Sequence, residues 1–225
     1  QLREIRILQA GIVEHHEMAE VMKEMQRQRI ADEIPDTLIL VEHPEVVTIG
    51  PKAVRDGVVV DGYPTVRTDR GGGITWHGPG QLVAYPIVKW ELGEQSVRAI
   101  IGRLEDWAIK AFADCGIEAY TDPSMQGTWV DGHKICSIGL SFLHWVSRHG
   151  MSINIQTPGT RVEDLEGCGM RPGVHTSLAQ LGYTHDLEGR PIDMARIEEA
   201  LLVNCEDILG RVPTRPEPWT AEVVA

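Results

Sequence analysis

The stretch Gly127-Thr128-Trp129-Val130-Asp131-Gly132-His133-Lys134-Ile135-Cys136-Ser137-Ile138 reads as a β-hairpin. Two runs rich in β-branched and aromatic residues flank Asp131-Gly132, a pair that tolerates the positive φ angles of a two-residue turn. A second hairpin is predicted just downstream, from Ser141-Phe142-Leu143-His144-Trp145-Val146 through a turn at Ser147-Arg148 into Met151-Ser152-Ile153-Asn154-Ile155. Upstream, Thr37–Val41, Val46–Ile49 and Gln81–Val88 read as strands, and Asp56-Gly57 and Asp61-Gly62 punctuate further ones. Helical spacing appears in three places. Met18, Val21, Met22 and Met25 form one stripe within residues 14–31. Val97, Ile100, Ile101, Leu104, Ala108 and Ala111 form a second behind a Ser96 cap. Met194, Ile197, Leu201, Cys205 and Ile208 form a third that ends at Gly210. Strands grouped in hairpins with helices between the groups predict an α+β single domain, a largely antiparallel or mixed sheet flanked by helices. Regular strand–helix alternation, which a parallel doubly wound sheet needs, is missing. The catalytic body is expected over 1–211, with a Pro-containing tail, extended or frayed, over 212–225.

Composition narrows the function classes. The chain has 225 residues, enough for a substantial core without disulfide or metal scaffolding. A formal charge of −12 lacks the basic footprint of a nucleic-acid binder, and it disfavours a polybasic membrane-surface anchor. No apolar run is long enough to cross a bilayer. Gln1-Leu2-Arg3-Glu4-Ile5-Arg6 mixes charges where a signal peptide keeps an apolar block, so a soluble, cytoplasmic protein is expected. Cys115, Cys136, Cys168 and Cys205 form no CxxC pair, which argues against a structural zinc site.

Three features could carry chemistry. Between Arg70 and Gln81 lie five glycines together with Thr75, Trp76 and His77. Such a segment is either a glycine-rich connector or a place where backbone approaches a ligand. Gly73 and Gly78 have P-loop spacing, but Pro79-Gly80 replaces the Lys-Ser/Thr pair. Cys168 stands between Gly167 and Gly169, on a turn. It is either structural or a nucleophile with room for a carbonyl and with backbone N–H groups beside it. Lys134 follows the Asp131-Gly132 turn, and strict alternation groups it with Cys136 and Ile138. It is either a snorkelling hairpin-end lysine or a buried amine that tunes a neighbouring thiol. His15-His16-Glu17 lacks the second histidine of a zinc-protease helix and reads as a solvated helix face; His175-Thr176-Ser177 reads as a helix cap.

Over about residues 37–182 the chain resembles the lipoyl/octanoyl transferases. The resemblance is carried by Glu42-His43-Pro44 with Thr48 and Gly50, and by Arg70-Gly71-Gly72 through His77-Gly78-Pro79-Gly80-Gln81 to Tyr85-Pro86. It continues in Lys134 to Gly139, His149-Gly150 with Asn154, Cys168-Gly169 and Thr176-Ser177-Leu178. That likeness implies the biotin/lipoate protein ligase catalytic-domain fold and transfer of an octanoyl or lipoyl group. The donor it implies is octanoyl-acyl carrier protein. The acceptor is a lysine of a lipoyl domain, in a 2-oxoacid dehydrogenase E2 subunit or the glycine cleavage H protein. By position, Cys168 matches the family's acyl-thioester nucleophile and Lys134 the lysine that tunes it. Arg70, Gly71, Gly72, Gly73, Ile74, Thr75, Trp76 and His77 match its acyl-substrate loop, as do Ser137, Ile138, Gly139, Gly150, Met151 and Ser152. No cofactor or metal is implied, nor a nucleic-acid or membrane partner. Three positions depart from the family's usual residues: Gly167 for proline, Cys136 for alanine and Ser152 for alanine. An ATP-dependent lipoate or biotin ligase of the same fold and a non-catalytic acyl-binding protein are the competing readings. Because carrier proteins and lipoyl domains are acidic, Arg67, Arg70, Arg148 and Arg171 are expected to form a basic docking patch.

Overall fold

The computed structural model describes residues 2–165 and 173–221. Its main sheet is built around β2 (Thr37–Glu42), a strand buried on both faces. The alternation of its side chains explains the layers. Leu38 and Leu40 join a core that includes Ile100, Leu104 and Trp107 of α3 (Val97–Asp114) and Ile197 and Leu201 of α4 (Met194–Val203). Ile39 and Val41 point the other way, into a core with Met18, Met22 and Met25 of α1 (His15–Ile30). Each such aliphatic side chain contributes about 1.5–3 kcal/mol on burial, so covering both faces with helices stabilises the strand twice over.

On one side of β2 runs β1 (Glu4–Ile12), parallel to it; on the other runs β6 (Gln81–Ile87), antiparallel. Beyond β6 the order continues through β10 (Val146–Asn154), β9 (His133–Leu143), β8 (Met125–Val130) and β7 (Tyr120–Asp122), all antiparallel. A smaller sheet holds β3 (Val46–Ile49) between β4 (Thr65–Arg67), parallel, and β5 (Ile74–His77), antiparallel. This is the expected α+β arrangement of a mixed, mostly antiparallel sheet flanked by helices.

The hairpin at Asp131-Gly132 forms as predicted, with φ of 49° and 82°. The second hairpin turns elsewhere. β9 runs on to Leu143, and the two-residue turn is His144-Trp145, with φ of 47° and 59°, so Ser147 and Arg148 lie inside β10. Contact between the Trp145 and Phe142 rings, with centroids 5.8 Å apart, accompanies this costly turn conformation. Gly50-Pro51 opens a five-residue helix, α2 (Pro51–Arg55), in place of a further hairpin strand. Pro51 suits the first helical turn, and Gly57 at φ 67° follows the helix end. The predicted late helix is two: α4 stops at Asn204, whose side chain bonds back to Ala200 O, and α5 (Cys205–Leu209) ends at Gly210 in the left-handed region.

Residues 212–219 are extended and docked. β11 (Val212–Pro213) and β12 (Glu217–Pro218) both pair with β1, and Trp219 is buried against the α1 side. Arg211 anchors this segment from the interior, fully buried. Its guanidinium donates to Asp36 at 2.9 Å and Glu94 at 2.8 Å, and it lies over the Trp90 ring. No described helix is long and apolar enough to cross a membrane. Arg211→Ala removes the buried cation shared by Asp36 and Glu94, which keep only the more peripheral Arg29, and Arg3 with Arg103, respectively, so unfolding free energy in urea should fall by about 3 kcal/mol.

Candidate active site

Residues 70–73 lie across both sheets because glycine lets backbone touch backbone. Gly71 N donates to Leu140 O of β9 at 2.8 Å, and Gly50 N donates to Gly73 O at 2.8 Å. A Cβ at Gly139 would sit 2.5 Å from Gly71 O, and one at Gly50 2.4 Å from Gly72 O, so neither place admits a side chain. Arg70 turns inward, 6% exposed, and its guanidinium holds the loop by donating to Thr48 O at 3.0 Å, Gly73 O at 3.2 Å and Gly71 O at 3.1 Å.

Beneath this loop is a cleft of about 360 Å³. Gly71 to Thr75 form one wall, Ser137 and Ile138 of β9 another, and Lys134 and His175 the floor. Lys134 is 7% exposed, and burial, with the nearby Arg70 charge adding to it, brings its pKa down to about 8. A bulge in the β8–β9 ladder breaks the expected alternation: Thr128 opposes Cys136 while Trp129 opposes Lys134. Lys134 therefore shares the cleft with Ser137 and Ile138, whereas Cys136 joins the core. Burial pushes the Cys136 thiol up to about 12, which makes it an inert packing residue at neutral pH. Gly127 makes room for the lysine; a Cβ there would be 2.8 Å from Lys134 Cε.

The backbone of Lys134 also grips the chain that follows residue 172. Its N–H donates to Val174 O at 2.8 Å and its carbonyl accepts from Thr176 N at 3.2 Å, which sets His175 beside it. Gly173 N donates to Glu163 O at 2.7 Å. His175 is buried, and its pKa is held near 3 by that burial and then by Lys134, so it is a neutral imidazole. From sequence it reads as part of a helix cap; only the pairing with Lys134 brings it into the site. Ser177 does cap a turn, its hydroxyl accepting from Gln180 N at 3.2 Å.

Arg70, Thr75, Ser137 and Ile138 line a second, narrower chamber of about 20 Å³ deeper in the fold. Gly139, Gly150, Met151 and Ser152 form its floor. Four histidines gather around it: His15 lies 5.1 Å from His43, 5.4 Å from His77 and 6.4 Å from His149, ring centre to ring centre. His43 donates from Nδ1 to Val13 O and accepts at Nε2 from the Tyr85 hydroxyl; His77 Nδ1 donates to Gln81 Oε1. Gln81 in turn donates to Asn154 Oδ1, and Asn154 to Thr176 O, which ties the chamber to the segment bridged to Lys134. Burial keeps all four imidazoles neutral, lowering His43 and His149 to about 4, His15 to about 3 and His77 well below its usual value. No three His, Cys, Asp or Glu side chains among the described residues have the arrangement of a metal site.

Most of the residues predicted from sequence converge here. Arg70, Gly71, Gly72, Gly73, Ile74, Thr75, Lys134, Ser137 and Ile138 line the cleft; His77, Gly139, Gly150, Met151 and Ser152 line the chamber. Trp76 lines neither. It packs with Val162 and Leu165 and donates to Glu45 at 3.0 Å. Cys168 and Arg171 lie outside the described residues. The basic docking patch does not form as expected: Arg70 is buried in the loop, and Arg148 is 7% exposed and ion-paired with Asp69. His15, His43, Tyr85, His149 and His175 were not among the predicted site residues. His43, Tyr85 and His149 enter the sequence reading only as part of the family resemblance, and His15 and His175 carry no site signal until the fold gathers them.

A family model described as the lipoyl protein ligase A/B catalytic domain matches residues 15–205. A protein named octanoyltransferase from Rubrobacter xylanophilus is 36% identical over 210 residues, 89% of this chain and 91% of that one. Another, from Acidothermus cellulolyticus, is 37% identical over 199 residues, 85% and 90% of the two chains. Among solved structures, the bipartite lipoate protein ligase of Thermoplasma acidophilum, described with its E2 lipoyl domain, aligns over 100% of this chain and 91% of its own at a TM-score of 0.69 and 11% identity. Biotin protein ligase from Aquifex aeolicus aligns over 93% and 70% at 0.53 and 9% identity. At such identities these two likenesses concern the fold.

The neutral histidines make stability pH-dependent in a defined direction. Above about pH 7.5 they are largely uncharged in both folded and unfolded chains and contribute little to the pH slope. As pH falls from 6.5 toward about 4, the unfolded chain binds protons that buried His43 and His149 refuse, so stability drops. Replacing His43 with Gln removes one such proton. In that range the slope of urea-unfolding free energy should become shallower than the wild type's, by up to about 1.4 kcal/mol per pH unit. A slope identical to the wild type's would contradict the assignment.

Proposed function

The chain belongs to the lipoyl protein ligase A/B catalytic-domain family, and we propose that it transfers an octanoyl group from acyl carrier protein to a lysine of a lipoyl domain, through a thioester on Cys168. The observation that carries this reading is Lys134, a buried amine of depressed pKa at the floor of a cleft roofed by the Arg70–Gly73 loop. Support for Cys168 as the acyl carrier comes from its flanks. Leu165 packs with Trp76 on one side, and on the other Gly173 leads into residues 174–176, which are hydrogen-bonded to the Lys134 backbone.

The chemistry needs one group that can take and return a proton near neutral pH. With a pKa of about 8, about a tenth of Lys134 is neutral at pH 7. Neutral Nζ takes the Cys168 thiol proton, and the resulting ammonium stabilises the thiolate. Sγ attacks the octanoyl carbonyl, the new C–S bond forms, and the bond to the carrier's sulfur breaks. The departing thiolate recovers the proton from Lys134. In the second half, a lipoyl-domain amine attacks the acyl-enzyme carbonyl. The C–N bond forms as the C–Sγ bond breaks, Lys134 accepts the amine's proton, and the proton then returns to Cys168 sulfur. Each half leaves Lys134 as it began, and thioester-to-amide exchange runs downhill without ATP.

The lipoyl-domain acceptor agrees with the fold shared with a ligase whose solved structure is described with its E2 lipoyl domain. Incubation with octanoyl-acyl carrier protein, without acceptor or ATP, should add one octanoyl mass to the protein. The adduct should be labile to hydroxylamine and map to Cys168 by peptide mass spectrometry. Cys168→Ser should form no such thioester, and Lys134→Ala should slow its formation by about 10²–10⁴-fold. Octanoyl transfer that requires ATP and survives Cys168→Ser would instead identify a ligase.

A further inference from the structure

His15 belongs, by its sequence context, to a solvated helix face. In the fold it is 4% exposed and forms a wall between two spaces. On its inner side is the histidine-lined chamber, which shares Arg70, Thr75, Ser137 and Ile138 with the cleft holding Lys134. On its outer side is a surface cleft of about 390 Å³ between α1 and residues 66–69, bordered by Glu20, Lys23 and Arg67. Among the described residues His15 alone lines both.

The lengths are commensurate with an eight-carbon chain. From Lys134, in the cleft floor, to Ser137, which also lines the chamber, is three residues along β9, about 10 Å. The seven C–C bonds of an octanoyl chain, about 1.5 Å each, extend about 9 Å in zigzag form. An acyl group with its carbonyl carbon near Lys134 thus brings its terminal methyl to the chamber. With about 20 Å³, the chamber has room for little more than one small group. Tyr85, Val83 and Met151 give the methyl an apolar surround.

We infer that His15 is the stop at the far end of the acyl channel and sets the longest chain the protein accepts. This inference rests on the acyl-transfer reading. The stop is rigid because its ring is stacked on His77 and His149 and edged by His43. Among the described residues its Nδ1 has no hydrogen-bond partner, so shortening the side chain breaks no bond there. Removing the ring joins the chamber to the outer cleft and gives a longer chain an exit.

The test is an acyl-carrier-protein series from C6 to C14, read as the ratio of kcat/KM values. Wild type should fall at least tenfold from C8 to C12. In His15→Ala the C12:C8 ratio should rise at least tenfold above the wild-type ratio, and in His15→Trp the C6:C8 ratio should rise instead. If circular dichroism shows His15→Ala unfolded, His15→Asn should give the same shift in smaller measure. A folded variant with the wild-type C12:C8 ratio overturns the inference and leaves octanoyl transfer intact. A wild-type protein that transfers none of the series overturns both.

Discussion

The permanent charge of Arg70, buried between the two sheets, is the constraint on which the rest of the site depends. The Arg70 guanidinium cannot lose its proton, so it is accommodated by carbonyl oxygens of Thr48, Gly71 and Gly73 drawn in around it. Those bonds fix the loop that roofs the cleft. The same charge reaches the titratable groups nearby. After burial, it is among the influences that hold His15, His77, His149 and Lys134 toward their neutral forms. A fold that admits one cation to this space disfavours a second, and a lysine kept close to neutrality can exchange a proton at physiological pH.

Placement of the charge depends in turn on missing side chains. Gly139 and Gly50 let the loop lie directly on β9 and on the end of β3, and Gly127 clears the space that Lys134 Cε occupies. Gly150 has the same role one strand over, where a Cβ would come within 2.2 Å of Ala84 O. The glycines are less hinges than points of contact: each brings two backbones, or a backbone and a functional side chain, closer than any other residue allows. The cleft is therefore assembled from a loop and strands locked together by direct backbone contact, which suits the proposed holding of a reacting carbonyl.

Much of this is legible in the sequence, for identifiable reasons. The Asp131-Gly132 turn and the Ser96 cap are local events, decided by a few neighbouring residues, and both form as the sequence implies. The Arg70–His77 segment stands out because glycines mixed with a cation and an imidazole are poorly explained by turning alone. What escaped the sequence depends on distant contacts. The β9–β10 turn moved to His144-Trp145, where Trp145 packs on Phe142. The bulge opposite Cys136 sent that thiol into the core and left Lys134 in the cleft. His15, His43, His77 and His149 come from four separate elements or loops, so their cluster has no trace in spacing. Arg148 looked like a surface docking residue because nothing local reveals that Asp69, on a different segment, would pair with it.

Burial brings Lys134 within reach of proton exchange near neutral pH. NMR titration of lysine labelled at Cε, with Lys134→Arg used to assign the signal, measures this directly. A single lysine resonance titrating near pH 8 and absent from the variant is the predicted result. A Lys134 midpoint near 10.4, the value of an unperturbed lysine, would contradict the account.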